Sequence, residues 1–174
     1  CESGHCFDIA KQGYVNLAVS NSKASSLRSD DLDMVTSRQR FLATGAFDPI
    51  VDAVASRIPR DRTGNNGRLF VELGAGTAAY LAAALDRNDD AHGIAIDLSI
   101  PATIRAARSH VRTTAIVSDS WAPLPLADDT VDAVLVAFAP RNLAEIARVL
   151  RPGGRLVLAS AKPAHIRELR DEYE

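Results

Sequence analysis

A disulfide framework is excluded first. The chain holds two cysteines, Cys1 and Cys6, both at one end, and they are too close in sequence to staple a fold. No run of about 18 apolar residues is present, and no charged-then-apolar leader precedes the first element, so neither a membrane span nor a secretory signal is read. These absences fit a soluble protein of the reducing cytoplasm. A basic excess is also missing. The formal charge of -2 gives no general electrostatic case for binding nucleic acid. The charge is unevenly spread, however: 47–140 is net acidic, whereas 141–174 carries Arg141, Arg148, Arg151, Arg155, Lys162, Arg167 and Arg170 against five acids. Most of these read as solvated helix faces. Repeats and low-complexity tracts are absent too, and the first residue is not Met, which implies that the natural start lies elsewhere.

What is present is apolar residue in short, ordered blocks. With 174 residues and 47% hydrophobic content, the chain can bury one sizeable core. Residues 1 to about 33 are polar, and "SNSKASSLRSDD" reads as a flexible connector. Two helices are expected next. "DMVTSRQRFLATG" puts Met34, Val35, Phe41 and Leu42 near one face, and "DPIVDAVASRI" offers Asp48 as N-cap with Pro49 at the first helical position. From Arg68 onward, apolar runs at 68–73, 92–97, 113–118, 131–138 and 154–160 alternate with "TAAYLAAALDR", "SIPATIRAARSH" and "RNLAEIARVL". Strand and helix in alternation predict a doubly wound α/β domain, a parallel sheet covered on both faces.

The first strand runs into "VELGAGTAAY". Gly74 and Gly76 permit a sharp turn and a close approach of backbone to a ligand, with a helix N-terminus behind them. Read as G-x-G-x-x-A, this is a dinucleotide turn; read as E-x-G-x-G, it resembles the first motif of S-adenosylmethionine-dependent methyltransferases. Glu72 favours the second, because an acid beside the turn suits a sulfonium and repels a pyrophosphate. Asp97 stands at the end of the second strand, where it can accept from a ribose diol, and Asp119 follows the third, placed to meet an adenine amine. Acids at the ends of successive parallel strands face one crevice.

The chain as a whole resembles the bacterial 23S rRNA (guanine-N1)-methyltransferase family, which includes the tylosin-resistance methyltransferases. The resemblance rests on "C-x-x-x-H-x-FD-x-AKQGYVNL" read onto Cys1 to Leu17, "DMVTSRQRFLATGAFDPI", "VELGAGTAAY", "VSDSWAPLPL" and "VAFAPRNLAEIARVLRPGG". It implies a Rossmann-like class I methyltransferase domain over 34–174, incomplete at its C-terminus, preceded at 1–33 by the remnant of a zinc module and a linker. Cys1 and His5 match two of four zinc ligands, the C-x-x-C partners of the family lying before the sequence begins. Zinc is therefore expected in the full-length protein, where the module contributes to RNA recognition.

Carried over residue by residue, the resemblance implies a donor site for S-adenosylmethionine made of Glu72, Gly74, Gly76, Asp97 and Asp119, with Phe47 and Tyr80 as further candidates. Each of these two aromatics has core packing as its alternative role. "FAPR", Phe138, Ala139, Pro140 and Arg141, follows the fourth strand and is the candidate substrate pocket. It lacks the Asn or Asp that amino-methyltransferases carry there, which argues against methylation of an exocyclic amine. The implied substrate is guanine N1 in a 23S rRNA hairpin, with no base assigned and a possible link to macrolide resistance left to the family likeness. A small-molecule methyltransferase and a noncatalytic RNA-binding module are the rival readings. Oligomeric state is open, a homodimer being one option.

Overall fold

The computed structural model describes residues 4, 6–18, 29–60, 67–162, 164, 165 and 167. Their elements, in chain order, are β1 (Tyr14–Asn16), α1 (Leu32–Leu42), α2 (Asp48–Ser56), β2 (Arg68–Leu73), α3 (Ala79–Asp86), β3 (Ala91–Asp97), α4 (Ile100–Ala106), β4 (Thr113–Val117), β5 (Val131–Ala137), α5 (Leu143–Val149) and β6 (Leu150–Ala159). The strands form one sheet in the order β1-β4-β3-β2-β5-β6, every neighbouring pair parallel.

The apolar runs become strands because both faces of the sheet are covered. Phe70, Val71 and Leu73 of β2 and Val134 and Leu135 of β5 are fully buried. Phe70 packs in a core with Leu81, Ala84 and Leu85 of α3 and Val54 and Ala55 of α2. Val71 and Leu73 pack on the opposite side with Ile146 and Val149 of α5. The order in which strands are added reverses between β2 and β5: β3 and β4 are added on one side of β2, β5 and β6 on the other. A crevice opens at such a switch point, outside the carboxyl ends of the strands.

Three local features differ from the sequence expectation. β1 comes from the 1–33 stretch read as zinc module and linker, yet it lies at the sheet edge, with Tyr14 opposite Ala115 and Asn16 opposite Val117. The N-cap of α2 is Phe47, without a side-chain cap, so Asp48 is the first helical residue and contributes its charge to the first turn. β6 begins at Leu150, ahead of the run read at 154–160, and its register against β5 shifts between Val131 and Ala133.

Helix α1 buries only Val35. Met34 and Phe41 are exposed, so the four-residue apolar face read from sequence is not a core face. Polar bonds hold this helix instead. Asp31 Oδ1 accepts from the Met34 N–H at 2.9 Å, and Arg105 of α4 donates to Gln39 Oε1 at 2.7 Å and to Thr36 Oγ1 at 2.8 Å. Ser99 Oγ donates to the Asp30 carbonyl at 2.6 Å. These bonds lay α1 and the residues before it over the mouth of the crevice. Among the described residues, no helix is long and apolar enough to cross a membrane.

Candidate functional site

The turn after β2 is built by backbone conformation and two carboxyl groups. Gly74 has φ +62, and a Cβ on it would lie 2.4 Å from the Ala139 Cβ; only hydrogen lets the ends of β2 and β5 approach this closely. Gly76 and Ala78 also adopt positive φ, at 54 and 58. Ala78 is the N-cap of α3 and has no side chain to cap with. Glu72 supplies the missing acceptor: its Oε2 takes the Leu81 N–H at 3.0 Å.

That contact changes the meaning of Glu72. Burial pushes its carboxyl up to about 8, against the lowering effect of the Leu81 N–H. At neutral pH the group is mainly protonated, so the attraction for a sulfonium expected from sequence is not what it provides. Because the folded value lies above the unfolded one, this group's contribution to stability is full below about 4.5 and declines as pH rises toward about 8.

Asp97, at the end of β3, closes the turn from the other side. Its Oδ2 accepts from the Gly76 N–H at 2.7 Å and its Oδ1 from the Ser99 N–H at 2.8 Å. Burial raises its pKa, opposed by those two N–H groups. Asp119 sits after β4 on a loop stapled to α5. Asn142, the α5 N-cap, donates to the Trp121 carbonyl at 2.9 Å, the Leu124 N–H donates to Glu145 Oε2 at 2.7 Å, and Arg148 reaches the carbonyls of Leu124 and Leu126. The paired Arg148 guanidinium holds the Glu145 carboxyl down at about 2. One oxygen of Asp119 accepts from the Trp121 N–H at 2.9 Å. The other, Oδ2, is buried and has no partner among the described residues.

Two cavities meet here. One, of about 220 Å³, is lined by Asp30, Arg38, Asp97, Leu98, Asp119, Trp121 and 137–140. The other, of about 560 Å³, runs past the glycine turn to Phe41, Phe47, Ile50, Tyr80 and His165. Arg38, Gly74, Ala137 and Phe138 line both. A donor bridging them fits the residues present. Asp97 and Asp119 line the smaller cavity and the glycine turn lines the larger, so carboxyl acceptors and room for an amino-acid tail lie side by side.

The structure thus brings together Phe47, Glu72, Gly74, Gly76, Tyr80, Asp97, Asp119, Phe138, Ala139 and Pro140. Tyr80 is both core and cavity wall. Arg141 is exposed and is not among the residues that line the two cavities. Cys1 and His5 lie outside the described residues, and Cys6 is exposed. Sequence reasoning missed Arg38, Phe41 and Trp121. For the first two a signal existed: Val35, Arg38 and Phe41 recur every third residue of α1, which places them on one helix face.

The family described as Methyltransferase domain matches residues 71–158, and the one described as RlmA, N-terminal, a zinc ribbon, matches residues 1–26. The chain is 41% identical over 171 residues to the 23S rRNA (guanine(748)-N(1))-methyltransferase of Streptomyces fradiae, covering 98% of this chain and 60% of that protein. Likeness to the demethylmenaquinone methyltransferase of Mycobacterium marinum is 37% over 99 residues, 53% of this chain and 41% of that one. An S-adenosylmethionine-dependent methyltransferase from Aquifex aeolicus shares the fold, with a TM-score of 0.51 and 21% identity over 62% of each chain. The match at 71–158 takes in β3, β4, β5 and their helices, together with Glu72, both turn glycines, Asp97 and Asp119; the chain belongs to the methyltransferase-domain family.

Proposed function

We propose that this chain carries the donor site and the acceptor pocket of a 23S rRNA (guanine-N1)-methyltransferase that uses S-adenosylmethionine and works in the cytoplasm. When bound, the donor supplies an electrophilic methyl on a sulfonium. Asp119 and Asp97 hold its nucleoside end, and the Gly74 to Thr77 turn gives its tail a place beside α3.

The observation that carries the acceptor assignment is an aromatic wall next to that turn. Phe41 and Phe47 stand edge to face with centroids 5.3 Å apart, and Phe47 and Phe138 are tilted at 6.0 Å. Phe41 and Phe138 are each about half exposed, at 50% and 51%. Phe138 takes a left-handed backbone, φ 53, fixed by its N–H donating to the Ala159 carbonyl at 2.9 Å. A strained aromatic turned into an apolar cavity suits a flat, splayed-out base better than it suits the core. At guanine N1 an N–CH3 bond would form as the donor's S–CH3 bond breaks and its sulfur leaves as the neutral thioether, with the N1 proton passing to water or a base and charge developing on O6. Holding the two reactants aligned is the contribution these residues make.

The likeness to the Streptomyces fradiae protein, over 98% of this chain and 60% of that protein, supports rRNA over a small metabolite, since the likeness to the menaquinone enzyme stops at about half of this chain. The match at 1–26 supports Cys1 and His5 as ligands of a structural zinc in the full-length protein. Phe41 tests the acceptor wall, because it lines only the larger cavity. Phe41→Ala is expected to lower methyl transfer to a 23S rRNA hairpin roughly tenfold through lost base stacking, with donor affinity unchanged in calorimetry. Unaltered transfer would remove the aromatic wall from the acceptor site.

A further inference from the structure

We infer that Arg38 binds the carboxylate of the donor's amino-acid tail. This rests on the donor site and is independent of which acceptor is methylated.

Charge in the crevice is the first observation. Among the described residues, Arg38 is the only arginine or lysine that lines either cavity, against the carboxyl groups of Asp30, Asp97 and Asp119. The tail of S-adenosylmethionine is a zwitterion next to a sulfonium. Its two cationic centres suit this acidic surrounding, whereas its carboxylate needs a cation to balance the like charges around it.

Position is the second. The Arg38 side chain lies over the glycine turn, with Nη1 at 3.8 Å and Cδ at 4.0 Å from where a Gly76 Cβ would stand. That is the point at which the two cavities join and α3 presents its N-terminus.

The third is how the guanidinium is already used. Nη2 pairs with Asp30 Oδ2 at 3.2 Å, and Nη1, on the turn side, has no hydrogen-bond partner among the described residues. An arginine fork can serve two carboxylates at once, one on each edge. Asp30 fixes the guanidinium in place, and Nη1 stays open toward the turn. Asp30 in turn is tied to α4 through the Ser99 hydroxyl, so the arginine is aimed by the same contacts that seat α1.

The alternative is that Arg38 merely anchors residues 29 and 30 through Asp30. Calorimetry with two ligands separates the roles: S-adenosylhomocysteine, which has the tail, and 5′-methylthioadenosine, which lacks it. Arg38→Met is expected to weaken S-adenosylhomocysteine roughly tenfold or more, through a lost charge-assisted hydrogen bond, and to leave methylthioadenosine within about twofold. Arg38→Lys, which keeps a cation without the fork, is expected to fall between. Equal weakening of both ligands, or unchanged affinity for S-adenosylhomocysteine, overturns the assignment. Should Arg38→Met fail to fold, the unaltered protein gives the answer with an S-adenosylhomocysteine analogue lacking only the carboxylate. A loss of roughly tenfold or more is expected there, and equal affinity overturns the assignment. If the unaltered protein binds neither S-adenosylhomocysteine nor methylthioadenosine, the donor site itself is refuted.

Discussion

Gly74→Val is expected to unfold at a markedly lower temperature and to lose measurable donor binding. Two costs combine. A β-branched residue at φ +62 pays the left-handed penalty, on the order of 1 to 2 kcal/mol or more. Its Cβ also meets the Ala139 Cβ at 2.4 Å, and relieving such overpacking costs about 1 to 3 kcal/mol. Together these lower the melting temperature by roughly 5 to 15 °C for a domain of this size. The clash is with the β5 end and not, as the sequence alone suggests, with the donor. Gly74→Ala therefore provides a finer test. Adding Ala139→Gly to it removes the clash and leaves the φ strain, so the double variant is expected to regain part of the lost stability. Thermal unfolding of the three proteins checks this, and a double variant no more stable than Gly74→Ala would refute the packing explanation.

Asp97→Ala is expected to weaken S-adenosylhomocysteine binding by about 1.5 to 3 kcal/mol, roughly 10- to 100-fold, the range of a lost charge-assisted hydrogen bond. Part of this is indirect, because Asp97 also holds the Gly76 and Ser99 N–H groups. The pH dependence separates the unaltered protein from the variant. Burial raises the Asp97 pKa, and the acceptor form is the carboxylate. Donor affinity is therefore expected to fall on acidification at a pH above the ordinary aspartate value, and that dependence is expected to vanish in Asp97→Ala. Calorimetry across pH measures both. Unchanged affinity at neutral pH would take Asp97 out of the site.

Sequence was most informative where one physical rule dominated. The parallel strands stand out because burial on both faces demands unbroken apolar runs such as "RLFVEL" and "VDAVLVA". The glycine turn stands out because positive φ and close approach favour one residue type. Strand β1 was hidden because its three residues, "YVN", are too short a run to show a pattern and are only partly buried at the sheet edge, where Tyr14 packs against the core and the backbone pairs with β4. Glu72 was placed correctly in the chain and misread in charge, since burial of a single carboxyl depends on the packing of α3 over it. Arg38 and Phe41 escaped because α1 is a polar helix laid over a crevice, and its inward face carries only one buried apolar residue.

The acceptor atom is the point on which the account stands or falls. Inosine keeps the N1–H and O6 of guanine and lacks the exocyclic amine, so replacing the target guanine of a 23S rRNA hairpin by inosine separates the two chemistries. With methyl-labelled donor, the account predicts that this chain labels both hairpins and that digestion releases the label as the N1-methylated nucleosides. Transfer that stops at inosine, or label found in a small metabolite and in neither hairpin, would contradict it.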